Sequence, residues 1–299
     1  MPRPAHITIV EVGPRDGLQN ESARIDTADK IEFVDRLSAA GLPVIEAGAF
    51  VSPTWVPQMA DADAVFAGIA RRAETRYAAL VPNLAGLERA RAAGVRDVAV
   101  FAAASETFSR RNINQGIEDS LARYGDVCAR ARELGMQVRG YVSTAFGCPF
   151  EGDVPPARVA EVAAALDAMG ARQIALSDTI GIAHPGQVPI VLNAVAARVP
   201  LDRLALHFHD TRGMAAANVL AALDLGIATF DASAGGLGGC PYAPGATGNV
   251  ATEDLIYMLH GLNIATGVDL DAVVEASRFM ESRIGHRLPS RYYQAVNAR

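Results

Sequence analysis

The sequence predicts an α/β fold, a (β/α)8 TIM barrel with additional C-terminal helices. Eight short β-rich runs alternate with longer helical patterns, the first beginning at residue 7 and the eighth at residue 229. This spacing is about 32 residues for each strand with its helix, which is typical of such a barrel. A doubly wound open sheet has the same local pattern, and the count of eight strands favours the barrel.

The predicted strands are nearly continuous apolar runs, as expected for parallel strands covered on both faces. They span residues 7–12, 43–48, 76–81, 97–102, 137–143, 173–178, 203–209 and 229–233.

Two of the intervening helices have clear start and stop signals. In residues 27–41, Thr27 is predicted to be the N-cap residue and Gly41 to end the helix. In residues 155–171, apolar residues recur at helical spacing, and Gly170 stands where a C-cap glycine belongs. These apolar residues are Val159, Val162, Ala163, Leu166 and Met169.

The residues after the eighth strand predict two or three more helices on the side or bottom of the barrel. Their patterns are TEDLIYMLHGLN and LDAVVEASRFMESRIG, within about residues 251–299. Because little low-complexity sequence interrupts the chain, we expect residues 1–299 to form a single catalytic domain.

The composition disfavours several classes of protein. A net charge of −6 argues against nucleic-acid binding. No apolar stretch reaches the roughly 18 residues of a membrane-spanning helix, and the N-terminus shows no signal-peptide pattern. Cys128, Cys148 and Cys240 form no CxxC pair, which is typical of a reducing compartment. We therefore expect a cytoplasmic protein that binds neither nucleic acid nor a membrane.

Polar residues follow several of the predicted strands at the point where each strand ends. In a TIM barrel the loops after the strands build the active site. The sequence therefore predicts that these residues converge on one rim: Arg15, Asp16, Glu46, Asp178, His207 and His209.

His207 and His209 are two residues apart on a predicted strand, so both side chains point to the same face. An HxH pair alone is as typical of a packed core as of a metal site. Asp16 favours a metal, because a carboxylate and two imidazoles with open positions suit Mg²⁺ or Mn²⁺, with Zn²⁺ or Co²⁺ as alternatives. Taken alone, Asp16 would be interpreted as an Asx-turn residue.

Three further residues of this rim each have a structural and a catalytic interpretation. Arg15 is either a surface charge or a group that stabilises developing oxyanion charge. Glu46 lies in an apolar strand where an unpaired carboxylate would be destabilising, so it pairs with Arg15, takes part in the chemistry, or does both. Asp178 either caps the next helix or belongs to the site.

The stretch GGLGGCPYAPGATGN, residues 235–249, follows the eighth strand. Pro241 stands where a GxGxxG fingerprint needs glycine, and no GK[ST] follows, so we exclude a dinucleotide or Walker loop. Glycine allows a close approach to a ligand, while Pro241 and Pro244 restrict the backbone. We predict a mobile lid that carries the Cys240 thiol to the active rim.

Motifs along nearly the whole chain resemble the 3-hydroxy-3-methylglutaryl-CoA lyase family. They are VEVGPRDGLQNE, FVSPTWVPQMAD, RRNIN, VRGYVSTAFGCPFEG, LSDTIG, LHFHDTRGMAAAN and GLGGCPYAPGATGNVATEDLIYML. The arginine–aspartate and HxH elements also resemble isopropylmalate and homocitrate synthases, whereas the cysteine-bearing glycine loop resembles the lyase branch specifically.

The resemblance implies a barrel that uses a divalent metal, Mg²⁺ or Mn²⁺, to cleave 3-hydroxy-3-methylglutaryl-CoA to acetyl-CoA and acetoacetate, as in leucine degradation. The metal ligands that it implies are Asp16, His207, His209 and Asn249. It further implies that Arg15 neutralises enolate charge on the thioester oxygen, while Glu46 and Asp178 orient groups around the reacting centre. His209 or Asp16 would take the 3-hydroxyl proton, and Cys240 would help deliver a proton to carbon.

The substrate contacts also follow from the resemblance. Gln19, Asn112 and Arg139 match positions associated with substrate or CoA. Arg110 and Arg111 would pair with phosphates, or else form an ordinary solvated basic pair. We expect an acyl-CoA substrate and a homodimer or another homo-oligomer.

Two positions depart from the family pattern. Gly48–Ala49 ends the second strand where the family commonly has a serine, and Gly116 replaces another. The small Gly48–Ala49 pair motivates an alternative substrate, a longer branched 3-hydroxyglutaryl-CoA. A synthase that condenses acetyl-CoA with a 2-oxo acid is a further alternative, but such synthases usually carry an extra C-terminal domain.

Overall fold

The barrel predicted from the sequence is present in the computed structural model, which describes residues 2–239 and 248–298. Eight parallel strands form a closed barrel in the order β1 to β8, and β8 returns to pair with β1. The predicted TIM-barrel fold is therefore confirmed. Cys240 and the predicted lid around it lie outside the described residues.

Each end of the eight strands lies within one residue of the predicted position. The strands are β1 Thr8–Glu11, β2 Val44–Ala49, β3 Arg76–Leu80, β4 Asp97–Ala103, β5 Gln137–Ser143, β6 Gln173–Asp178, β7 Leu204–Phe208 and β8 Thr229–Ala232.

Helices surround the barrel and connect its strands. They are α1 Thr27–Ala39, α2 Ala62–Gly68, α3 Leu84–Ala92, α4 Glu106–Ile113, α5 Ile117–Glu133, α6 Pro156–Ala168, α7 Val188–Ala196, α8 Ala215–Leu223, α9 Thr252–Gly261, α10 Leu270–Ile284 and α11 Arg291–Asn297.

The start of α1 differs from the prediction. Asp26 precedes the helix with extended backbone, and Thr27 is the first helical residue. The Thr27 hydroxyl donates to Asp61 Oδ2 at 2.7 Å and does not cap its own helix. The prediction that Thr27 is the N-cap is therefore wrong, because a tertiary partner just before α2 takes the hydroxyl.

Gly41 and Gly170 follow α1 and α6 as predicted. Their φ angles are +88° and +94°, in the left-handed region that favours glycine. The predicted inner face of α6 is buried at Val159, Val162, Ala163 and Leu166. Met169, just beyond the helix, is partly buried against the same core.

The helices after β8 extend the outer layer. Helix α10 packs beside α1 and also contacts the single turn Ala234–Gly236, where the glycine-rich stretch begins. The C-terminal helices therefore cover the side of the barrel and also contact its functional end. In the described part of the chain, no helix is both long enough and apolar enough to cross a membrane.

The apolar core lies mainly between the strands and the helices. Inside the barrel, by contrast, several fully buried side chains are charged or polar, among them Glu46, Asp231 and His207. These interior groups lie beneath the carboxyl ends of the strands, where an active site is built in this fold.

Candidate active site

Asp16, His207 and His209 form one group of side chains, called the histidine cluster below. Their candidate ligand atoms all lie within 4.8 Å of one another. The Nε2 atoms of the two histidines are 3.1 Å apart, and Asp16 Oδ2 is 4.0 Å from His207 Nε2 and 3.9 Å from His209 Nε2. Lone pairs from the end of β7 and from the turn after β1 thus converge on a small volume, which is the arrangement a cation requires.

A tight turn after β1 presents Asp16 to the histidines. In the π-helical turn Gly13–Gly17, the backbone N–H groups of Arg15, Asp16 and Gly17 all donate to the Val12 carbonyl oxygen. A Cβ atom at Gly17 would lie 2.9 Å from Leu237 Cβ, so only glycine lets this turn pack against the start of the glycine-rich stretch.

Asn249 joins this site through the backbone. Residues beside it pair with the end of β7, since Val250 N donates to Phe208 O and Asp210 N donates to Gly248 O. Asn249 therefore lies opposite His209, and its Nδ2 donates to Asp16 Oδ2 at 3.0 Å. Its buried Oδ1 has no hydrogen-bond partner among the described residues. An orphaned amide oxygen beside a carboxylate and two imidazoles fits a divalent metal ion.

Arg15 is held between two carboxylates. Its Nε donates to Glu46 Oε2 at 2.6 Å, and its Nη1 donates to Asp16 Oδ1 at 2.5 Å. The pairing of Glu46 with Arg15 that the sequence suggested is thus present. Glu46 also accepts a hydrogen bond from the Tyr141 hydroxyl at 3.0 Å, so both of its oxygens are occupied.

The electrostatics favour an ionised Asp16 and a neutral His209. Burial alone would raise the pKa of the Asp16 carboxyl, but Arg15 and the two histidines hold it well below its usual range. Burial, assisted by His207, lowers the pKa of His209 to about 4. At neutral pH the cluster therefore offers one negative charge together with an uncharged imidazole whose lone pair is available.

A cavity of about 390 Å³ opens at the histidine cluster. Arg15, Gln19 and Asn112, which were expected near a ligand, border it. One wall is apolar and is formed by Val51, Val56, Leu80, Phe101, Phe108 and Ile113. Trp55, whose residue exposure is 81%, lies at the mouth of the cavity.

Other predicted site residues lie elsewhere. The Asp178 carboxylate accepts hydrogen bonds from the backbone N–H groups of Ile182 and Ala183, and burial raises its pKa to about 6. Its neighbours Ser177 and Thr179 border the cavity instead. Asp178 therefore stabilises the loop after β6, and does not cap α7.

Three further arginines were expected near the substrate, and none of them is among the residues that border the cavity. Arg110 pairs with Glu106 at 2.7 Å on the exposed surface of α4. The Arg111 guanidinium lies over the Phe150 ring, 4.3 Å from its centroid. Arg139 is inside the barrel, where its Nη2 donates to Asp231 Oδ1 at 2.6 Å.

Gly48 does not enlarge the cavity. A Cβ atom at this position would meet Ala62 Cβ at 3.5 Å and Phe66 at 3.6 Å, so it would point towards α2. Ala49 is fully buried in the apolar core. The reason that the sequence suggested for a longer substrate therefore does not apply to this pair.

Several residues near the site were not identified from the sequence. Arg123, Tyr141 and Ser143 border the cavity, and Asp231 lies 3.2 Å from His207. A signal existed for Tyr141 and Ser143, because polar residues at alternate positions of β5 share the inward face. Asp231, like Glu46, is a carboxylate within an apolar strand, which indicates a buried partner.

Comparisons with known proteins agree with this architecture. Residues 6–280 match the HMGL-like family model. The chain is 55% identical over 296 residues to the 3-hydroxy-3-isohexenylglutaryl-CoA/hydroxymethylglutaryl-CoA lyase of Pseudomonas aeruginosa, covering 99% of each chain.

Solved structures show the same likeness. The hydroxymethylglutaryl-CoA lyase of Pseudomonas aeruginosa superimposes with a TM-score of 0.98 at 55% identity, over 100% of this chain and 99% of that one. An HMG-CoA lyase from Acinetobacter baumannii, in complex with coenzyme A and 3-methylmalate, has a TM-score of 0.93 at 40% identity, over 97% of this chain and 95% of that one. From the matched family model and this identity over the full chain, we conclude that the protein belongs to the HMG-CoA lyase (HMGL-like) family.

Proposed function

We propose that this protein cleaves 3-hydroxy-3-methylglutaryl-CoA to acetyl-CoA and acetoacetate, with Mg²⁺ or Mn²⁺ held by Asp16, His207, His209 and Asn249. The observation that supports this most directly is the histidine cluster, which lies beside Arg15 at the cavity. The chain also belongs to the HMG-CoA lyase family. A carbon–carbon cleavage of this type needs a more acidic 3-hydroxyl group and a stabilised thioester enolate. Both requirements match side chains that border the cavity.

The chemistry begins at the 3-hydroxyl group of the substrate. A bound divalent metal supplies a Lewis acid that makes this hydroxyl more acidic. His209 is the better proton acceptor of the two candidates, because Asp16 already accepts hydrogen bonds from Arg15 and Asn249. A neutral imidazole has only one lone pair, so in this step His209 would accept the proton while Asp16, His207 and Asn249 hold the metal. As the proton leaves, the bond between C2 and C3 breaks, and its electron pair passes to the thioester as an enolate.

Arg15 stabilises the enolate in this scheme. Its guanidinium borders the cavity and is fixed by Glu46, so little reorganisation is needed when negative charge develops on the thioester oxygen. Protonation of the enolate at carbon then completes acetyl-CoA. We assign that proton to Cys240, which belongs to the stretch outside the described residues.

Incubation with the substrate tests this proposal. Purified protein with Mg²⁺ and 3-hydroxy-3-methylglutaryl-CoA is expected to release acetoacetate, measured with a coupled dehydrogenase, and EDTA is expected to suppress the release. The lack of acetoacetate at any concentration of Mg²⁺ or Mn²⁺ would refute the proposed reaction. Activity that persists in EDTA would refute the metal requirement alone.

A longer branched substrate is a second candidate. The apolar wall formed by Leu80, Phe101, Phe108 and their neighbours can accommodate a larger hydrocarbon branch at C3. The Pseudomonas aeruginosa relative is named for both the isohexenyl and the methyl substrate. Comparison of kcat/KM for the two thioesters decides this point, and a preference of about 100-fold or more for the methyl substrate would exclude the longer one.

Cellular location and assembly remain parts of the proposal. Cys128 and Cys148 are free, buried thiols, which suits a reducing cytoplasm. We expect a homodimer or another homo-oligomer, and sedimentation equilibrium of the full chain tests this. A mass equal to the 31.4 kDa chain would contradict it.

A further inference from the structure

A buried carboxylate contacts the inner side of His207. Asp231 on β8 lies next to His207 on β7 in the strand register, so both side chains share the barrel interior. Asp231 is 1% exposed, and its Oδ2 lies 3.2 Å from His207 Nδ1. The other ring nitrogen of His207, Nε2, faces His209 and Asp16.

Arg139 holds this carboxylate in place. Its Nη1 and Nη2 donate to the two oxygens of Asp231 at 3.0 Å and 2.6 Å, a two-pronged pairing that fixes the plane of the carboxylate. Its Nε donates to Gln173 at 3.0 Å. With both of its oxygens paired to one guanidinium, Asp231 is the anion of a buried ion pair.

The same arginine continues the network towards the other side of the cluster. Arg139 Nη1 donates to the Tyr141 hydroxyl, which donates to Glu46, which in turn accepts from Arg15. A chain of hydrogen bonds therefore crosses the barrel interior from His207 to Asp16. Both of its ends are side chains of the histidine cluster.

His209 provides an internal comparison. Its buried Nδ1 has no hydrogen-bond partner among the described residues, whereas Nδ1 of His207 has an ionised one. An imidazole that donates Nδ1–H to a carboxylate must present its lone pair at Nε2. The two histidines of the pair therefore differ in how firmly their tautomer is set.

We propose that the Arg139–Asp231 pair is a positioning device that keeps His207 protonated at Nδ1, with the Nε2 lone pair aimed at the metal position. Arg139 then acts through Asp231 and His207, and not through contact with CoA. This inference rests on the metal site of the proposed function, but the tautomer of His207 is also a property of the metal-free protein. Partners of this kind typically change metal affinity by about 10- to 100-fold when removed.

The tautomer of His207 is the first measurement. Long-range ¹H–¹⁵N correlation spectra of the metal-free protein, labelled at its histidines, distinguish Nδ1–H from Nε2–H rings. His207 is expected to be the Nδ1–H form, assigned by its absence in His207→Gln. An Nε2–H ring at His207 in the wild-type protein would overturn the proposal, independently of whether the Arg139 and Asp231 variants fold.

Metal affinity of paired variants is the second measurement. Arg139→Met/Asp231→Leu removes both charges together, so neither remains buried and alone. We expect its Mn²⁺ affinity, measured by electron paramagnetic resonance of free Mn²⁺, to fall by about 10- to 100-fold. Arg139→Gln/Asp231→Asn keeps an acceptor for Nδ1–H and should recover most of that loss. A folded Met/Leu variant that binds Mn²⁺ like the wild type would overturn the proposal.

Asp61→Asn is the matched control. It breaks the partly buried ion pair between Lys30 Nζ on α1 and Asp61 Oδ1 just before α2, which are 2.7 Å apart and lie outside the barrel interior. It should lower the Tm without changing Mn²⁺ affinity or the His207 tautomer, and a change in either would contradict a specific role for Asp231. If the wild type forms no acetoacetate, the proposed reaction fails, while the tautomer and Mn²⁺ measurements still decide this inference.

Discussion

Two groups of side chains with carboxylates lie at the functional end of the barrel, and each includes an acidic residue at or just after the end of β1, namely Glu11 or Asp16. In the histidine cluster, Asp16 faces Arg15 and two imidazoles. The second group, called the carboxylate anchor here, consists of Glu11 and Glu253, for which the described residues provide no ion pair. Glu11 accepts from Gly13 N, Ala234 N and the Thr252 hydroxyl, and Glu253 accepts from Gly235 N and the Ser277 hydroxyl.

The difference shows what each group does. Positive neighbours keep Asp16 ionised and ready for a cation, whereas burial raises the pKa of Glu11 to about 7 and of Glu253 to about 8. The carboxylate anchor binds backbone N–H groups of the β1 turn and of Ala234–Gly235. It therefore stabilises the two segments that flank the histidine cluster. The histidine cluster therefore takes part in the chemistry, whereas the carboxylate anchor holds the loops around that cluster in place.

The largest expected effect separates the two groups by activity. Asp16→Asn removes the negative charge of the histidine cluster and should lower kcat/KM by about 10³-fold or more, because transition-state stabilisation by the metal is lost. Its urea unfolding free energy should stay within about 1 kcal/mol of the wild type. Steady-state kinetics and urea titrations check this. An active variant that is strongly destabilised would show that Asp16 belongs with the anchor instead.

The next largest effect distinguishes the carboxylate anchor from the histidine cluster by the free energy of unfolding. Glu11→Ala leaves two backbone N–H groups and the Thr252 hydroxyl buried without their acceptor, so the free energy of unfolding should fall by about 2–5 kcal/mol. Urea unfolding measured by circular dichroism checks this. Glu11→Gln keeps one oxygen acceptor and should lose less than half as much. Equal losses for the two variants would contradict the view that hydrogen-bond acceptance is the role of Glu11.

The smallest effect concerns pH. Because the folded pKa of Glu253 is raised to about 8 from an ordinary 4.5, the folded state binds the proton more tightly than the unfolded chain. The stability that this group contributes is complete below pH 4.5 and is lost as pH rises towards 8. Between pH 5.5 and 7.5, the wild type should lose about 2–3 kcal/mol more than Glu253→Gln. Parallel pH profiles of the urea midpoint for the two proteins would contradict this.

Local patterns were enough to predict most of the fold. The strand bounds follow from short apolar runs, and the ends of α1 and α6 follow from Gly41 and Gly170. The start of α1 was misplaced, because the Thr27 hydroxyl finds a distant acceptor that a local pattern cannot contain. The common direction of His207 and His209 was predictable too, since strand side chains alternate with a period of two.

The sequence by itself therefore determined the barrel repeat, the HxH pair and the strand ends where polar groups gather. Only the tertiary structure decided which groups meet. Asp16 reaches the histidines because β8 pairs with both β1 and β7 and so closes the barrel. The same closure directs Arg139 to Asp231 in the interior and not to the cavity. Side-chain direction within a strand is set by neighbouring residues, but contacts across the barrel are set by register between segments far apart in the chain.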